Sequence, residues 1–116
     1  MNNTLNTIEM NVEYLGTKWV NGWEHNAYNV ALTHNGVTEE FIWKQGLGIH
    51  KEPSLERVLE HLIKESYYYE EDIYDMYDDP EIAEKVIEQL KEEEEKLNNL
   101  FSEYELEEFY SFYFED

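Results

Sequence analysis

Between Glu65 and Asp79 the chain sets seven carboxylates (Glu65, Glu70, Glu71, Asp72, Asp75, Asp78 and Asp79) among five tyrosines (Tyr67, Tyr68, Tyr69, Tyr74 and Tyr77), with no Lys or Arg. Carboxylates of one sign in close succession attract cations, and tyrosine rings beside them offer hydrogen-bonding and stacking surface for Arg. If the fifteen residues are mostly helical they span roughly 22 Å, at ~1.5 Å per residue. That gives about one negative charge per 3 Å, close to the ~3.4 Å spacing along one DNA strand. Like charges at helical spacing repel by ~0.2–0.5 kcal/mol per pair. Such a segment is either a solvated face or a surface that uses its charge. A second base-free acid run, Glu92-Glu93-Glu94-Glu95, follows. The candidate partner-binding residues are therefore Glu65, Tyr68, Glu70, Glu71, Asp72, Asp75, Asp78, Asp79, Glu92, Glu93, Glu94 and Glu95. Among the three consecutive tyrosines, Tyr68 is the ring expected to face a partner.

Other chemistry finds little support. Asp72, Asp75, Asp78 and Asp79 could gather on one helix edge and screen divalent ions weakly. They lack the Asp-x-Asp-x-Asp-Gly loop and distal Glu that aim oxygens at one centre, so no metal site is expected. The four histidines (His25, His34, His50 and His61) show no HxxxH or HExxH spacing and read as surface residues. Twenty-eight acids always offer pairs, but nothing marks two carboxylates in differently tuned environments. Gly46-Leu47-Gly48 lacks the third Gly and the Lys-Ser/Thr of a phosphate-binding loop. There is no cysteine, and no motif for a serine nucleophile. The reading is a protein without enzymatic activity and without a cofactor.

These groups must be positioned by a single domain. Strict alternation at Ile8, Met10, Val12 and Tyr14 predicts a half-buried strand. Gly16 to Glu24, which contains Asn21-Gly22, reads as a connection, within which Trp19 and Val20 could extend either neighbouring strand. Tyr28, Val30 and Leu32 alternate next, then Asn35-Gly36 signals a hairpin, and Val37 to Lys44 returns with Val37, Glu39, Phe41 and Trp43 on one face. Pro53-Ser54 opens a helix with Ser54 as N-cap, whose Leu55, Val58, Leu59, Leu62 and Ile63 form an apolar stripe. A short helix follows, with Ile73, Met76 and Tyr77 inward. Asp79-Pro80 is an N-cap followed by proline at the first helical position. The long helix it opens buries Ile82, Ala83, Val86, Ile87, Leu90, Leu97, Leu100 and Phe101, and Glu92–Glu95 is expected to project beyond the core. Ser102 caps a last helix. The fold class is α+β: a three-stranded antiparallel sheet (about 7–15, 26–33 and 37–45), then three to four helices (about 54–66, 70–78, 80–101 and 103–112).

From the second strand onward, Tyr28-x-Val-x-Leu-Thr-His-Asn-Gly leads to Phe41, then to Pro53-Ser54-x3-Val58-Leu59-x2-Leu62. Tyr77-Asp78-Asp79-x3-Ala83 and Leu100-Phe101-x4-Leu106 come after. This order resembles a group of small phage-encoded accessory proteins, over most of the chain. Members tend to carry a further Asp-Ser where this chain has Asp79-Pro80, and they have fewer acids. The resemblance implies a mobile-element origin and supplies no catalytic residues. In composition the chain is similar to acidic anti-restriction and anti-CRISPR inhibitors that mimic DNA.

Net charge points the same way. Met1–Pro53 holds six acids against three lysines, whereas Ser54–Asp116 holds twenty-two acids against five bases. A formal charge of −20 repels nucleic acid and anionic membranes and draws in basic partners. The amino terminus shows no signal-peptide pattern, and no apolar run approaches a membrane span, so the expected location is the host cytoplasm. The leading expectation is an inhibitor of a host defence nuclease, a CRISPR effector or restriction enzyme, that occupies its nucleic-acid cleft. It would bind a basic nucleic-acid-binding protein, neither nucleic acid directly nor membrane, with a homodimer left open. The alternative is an accessory module that binds another protein through a helical face, its acidity only solubilising.

Overall fold

A computed structural model describes residues 7–20, 22–49 and 51–114. Three antiparallel strands, β1 (Glu9–Val20), β2 (Trp23–His34) and β3 (Val37–Gly46), lie side by side in chain order. Four helices follow: α1 (Leu55–Ser66), α2 (Glu70–Met76), α3 (Pro80–Leu100) and α4 (Glu103–Phe114). The arrangement is α+β, as the hydrophobic periodicity predicts. None of the helices is long and apolar enough to cross a membrane.

The first two strands run further than their alternation suggests. Most of the expected connection Gly16–Glu24 is strand, because a bulge between Tyr14 and Gly16 re-phases the ladder. Gly16 takes φ 92° there, which a side chain would oppose. Pairing then continues from Thr17 opposite Asn26 to Trp19 opposite Glu24, and Gly22 turns the chain at φ 81°. In the second hairpin Asn35 and Gly36 both have positive φ, 50° and 79°, as a two-residue turn matched to strand twist requires.

One face of the sheet contributes Tyr28, Val30, Leu32 and Phe41 to the main core, joined by Ile8 just ahead of β1. Val58, Leu59, Leu62 and Ile63 of α1 close over it, with Leu97, Leu100, Phe101 and Phe109. A second, smaller cluster joins Ile73 of α2 to Ala83, Ile87 and Leu90 of α3, with Tyr68, Tyr77 and Val86 at its edge. The long helix α3 therefore serves both clusters, its first half under α2 and its last turns under the sheet. Met76 is a correction: it is 70% exposed. The helix ends at Met76, and Tyr77 takes the inward place from extended backbone.

Caps fix where each helix begins. Ser54 Oγ accepts from the Arg57 N–H (3.2 Å) and Asp79 Oδ1 from the Glu81 N–H (2.9 Å). At α4 the exchange is reciprocal. The Glu105 N–H donates to Ser102 Oγ (3.2 Å), while the Ser102 N–H donates to Glu105 Oε1 (3.0 Å). Upstream of α1, buried Gln45 donates to the Lys51 carbonyl (2.7 Å) and accepts from Trp43 Nε1 (3.0 Å), fastening the β3–α1 loop to the sheet.

His34 is not a surface residue; it is 3% exposed. Its ring lies 5.0 Å from Phe101, Nδ1 is 3.3 Å from Thr7 Oγ1, and Nε2 is 2.9 Å from Glu105 Oε2. The hairpin that carries it folds back onto the start of α4. Burial raises the Glu105 carboxyl, but the Ser102 N–H and His34 outweigh this and hold it below its ordinary value.

Candidate functional site

The Glu65–Asp79 stretch is not one helix. α1 ends at Ser66, Tyr67 to Tyr69 cross to a new direction, and α2 occupies only Glu70–Met76. Its charge density nevertheless remains high. Glu70, Glu71, Asp72 and Asp75 fall within seven residues, about 10 Å of helix axis. All four are exposed, as is Asp78 beyond them. Three of them sit in the first turn, where the helix macrodipole favours negative charge. Local helix physics thus tolerates acids there, and repulsion alone does not melt the segment.

The Lys91 ammonium lies 3.2 Å from Glu70 Oε1, tying the start of α2 to the middle of α3. Hydrogen bonding to Glu70 raises the Lys91 pKa. Among the described residues this is the one ion pair between a Lys or Arg and a carboxylate. It places the α2 acids beside the turn of α3 that continues into Glu92, Glu94 and Glu95, all exposed. Beyond them a groove of about 220 Å³ runs between the end of α1, α3 and α4. Glu94, Glu103 and Glu107 line it with Tyr67 and no base. Glu103 and Glu107 were absent from the sequence-derived set, although the base-free run from Glu103 to Glu108 carries the same signal as the earlier acids.

Four of the sequence-derived residues are engaged within the protein itself, Asp79 in the capping role that its sequence predicts. Asp79 is exposed, but its carboxylate caps α3. Glu65 is half-buried on the last turn of α1, with Oε1 3.0 Å from His61 Nε2. Glu93 faces inward, and one of its oxygens is shielded from solvent without a hydrogen-bond partner. The Glu92–Glu95 segment does not project. Lys96 Nζ donates to the Glu40 carbonyl (2.6 Å) and lies 5.5 Å over the Phe41 ring, and Asn99 Nδ2 donates to Glu39 Oε2 (3.0 Å). These contacts hold this half of α3 against β3, which turns Glu93 toward the sheet side.

Tyr68 is the fourth. It packs against the second cluster, while Tyr69 is 75% exposed and Tyr67 53% exposed. After Ser66 the backbone leaves the helix, so helical spacing no longer decides which of the three rings turns in. Tyr67 stacks on Tyr110 of α4 at 4.3 Å between centroids. Alanine at these positions should therefore give three different losses in denaturant unfolding. Tyr68→Ala should cost about 2–3 kcal/mol, Tyr67→Ala about 1 kcal/mol through its lost ring contact, and Tyr69→Ala under about 0.5 kcal/mol. Equal losses at all three would contradict this arrangement.

Among the described residues no group of three or more His, Cys, Asp or Glu could hold a metal ion. The surface thus combines exposed carboxylates with exposed rings, Tyr69 and Tyr74 on or beside α2 and Tyr104 and Phe112 on α4. No family model, curated protein or solved structure matches the chain.

Proposed function

We propose that the protein is an inhibitor that occupies the nucleic-acid-binding cleft of a basic protein, presenting carboxylates in place of phosphates and tyrosine rings in place of bases. The observation that carries this reading is the acidic surface formed by α2 and the adjoining turn of α3, where, among the described residues, Lys91 is the one base and is paired with Glu70. Its charge spacing along α2 is of the order of a DNA strand's, roughly one charge per 3 Å. Tyr69 beside it gives an Arg side chain a ring to stack on. The resemblance to small phage accessory proteins makes a host defence nuclease, a CRISPR effector or restriction enzyme, the target class, met in the host cytoplasm.

The exposed Tyr104 and Phe112 on α4 favour a second reading, in which a helical face docks a protein partner through apolar contact and the acidity only solubilises. Salt separates the two. Capture from host lysate in roughly 0.05 M and roughly 0.5 M salt should recover basic nucleic-acid-binding proteins only at the lower strength, since screening tightens to a few ångströms at the higher. A partner that DNA displaces supports the mimic. Recovery that is indifferent to salt and to DNA would favour the apolar face instead.

A further inference from the structure

Glu93 lies on α3 between Leu90, which belongs to the smaller cluster, and Leu97, which belongs to the main core. Its carboxyl faces that of Glu65 on α1, and its Oε2 is buried with no partner. The pair lines a cavity of about 320 Å³ with Trp43, Tyr77 and Leu90. Two ionised carboxylates facing each other at a half-buried helix junction repel strongly, whereas one shared proton makes them a hydrogen bond. We infer that Glu65 and Glu93 form a proton-dependent clasp between α1 and α3, closed while one proton lies between the two carboxyls and loosened when both are ionised.

The charged surroundings decide which residue keeps the proton. His61 on α1 bonds Glu65 (3.0 Å), so Glu65 has a stabilising partner for its anion and Glu93 has none. Burial raises the Glu65 pKa, but the hydrogen bonds with His61 and Glu93 outweigh it and hold that carboxyl below its ordinary value. Burial, then the hydrogen bond to Glu65 and its charge, push Glu93 up to about 8, against smaller opposing pulls from Lys96 on α3 and Lys44 on β3. Tyr77 completes the wall. At neutral pH Glu93 therefore donates its O–H to the Glu65 carboxylate.

The sign follows from linkage. Between the ordinary carboxylate range and about 8 the folded state binds one more proton than the unfolded chain. Stability then falls as pH rises through that window, and the loss is complete above its upper end. This is opposite to Glu105, whose lowered value removes stability as pH falls. Glu93→Gln offers Glu65 an N–H donor at every pH, and so removes the alkaline slope.

The test is thermal unfolding of the full chain from mildly acidic to alkaline pH, for wild type and Glu93→Gln. The wild type should lose about 4 °C or more on the alkaline side relative to Glu93→Gln, with the two converging in acid. Parallel curves would overturn the clasp. A carbon-13 titration of the wild-type side-chain carboxyls decides the matter even if the variant does not fold. Glu93 should titrate well above the ordinary carboxylate range, and should return toward that range in Glu65→Gln. A Glu93 midpoint in the ordinary carboxylate range would end the proposal.

Discussion

Replacing Glu71, Asp72, Asp75 and Asp78 by their amides should weaken capture of a basic partner by more than about tenfold, the equivalent of ~1.4 kcal/mol, while the melting temperature scarcely moves. The stability half follows from opposing local terms. Glu71 and Asp72 lie in the first turn of α2, where each negative charge contributes about 0.3–1 kcal/mol through the macrodipole. Against this, Glu71 and Asp72 each repel Asp75 at helical spacing, at ~0.2–0.5 kcal/mol per pair. The two effects largely cancel. The binding half follows because none of these four forms an ion pair among the described residues, so their charge is free to act on a partner. Asp79 is left out on purpose, since its carboxylate caps α3, and Asp79→Ala should cost about 1 kcal/mol of helix stability. Unchanged affinity in the fourfold variant would sink the mimic reading. A collapse of thermal stability would mean that the acids are structural.

The same residues show how far sequence reasoning reaches. Caps were legible because Ser54, Asp79-Pro80 and Ser102 act on backbone a few residues away, and local chemistry suffices for that. The second hairpin was legible for the same reason, through Asn35-Gly36. The first has an equivalent signal in Asn21-Gly22, but the bulge between Tyr14 and Gly16 breaks the alternation ahead of it, so the period-two pattern stops at Tyr14. Asn21 itself lies outside the described residues.

Glu93 was misread by the opposite route. Spacing from Ala83 through Ile87, Leu90, Leu97 and Leu100 places residue 93 on the buried stripe, yet four consecutive glutamates read as solvated surface. Residue type overrode a periodicity that was correct. The cost of burying that carboxyl is reduced by a proton and by Glu65, and the sequence offers no sign that residues 65 and 93 meet. His34 is similar, since its partner Glu105 is seventy-one residues away. What is set by neighbours along the chain could be read; what depends on which helices meet could not.

Phe109→Ala should produce the largest stability loss in the protein, about 3–5 kcal/mol for a fully buried ring. Phe109 is 0% exposed and meets Phe101 edge-on at 5.1 Å between centroids. Phe101 in turn lies against His34, which is joined to Glu105 at the start of α4. Phe109 is also the single fully buried residue of α4, whose Leu106, Tyr110 and Tyr113 are only partly covered. Removing it therefore empties a site that flexible side chains cannot refill, and loosens a helix with few other anchors. Two outcomes are distinguishable in urea. If α4 unfolds with the rest, the midpoint should fall by about 2 M, for a slope near 2 kcal/mol per molar, and the slope should be unchanged. If α4 merely undocks, the slope itself falls, because the folded reference already exposes the surface that α4 covered. The chain of contacts from Phe109 through Phe101 and His34 back to Glu105 favours the first outcome. A midpoint within experimental error of wild type would show that α4 is not part of the cooperative core.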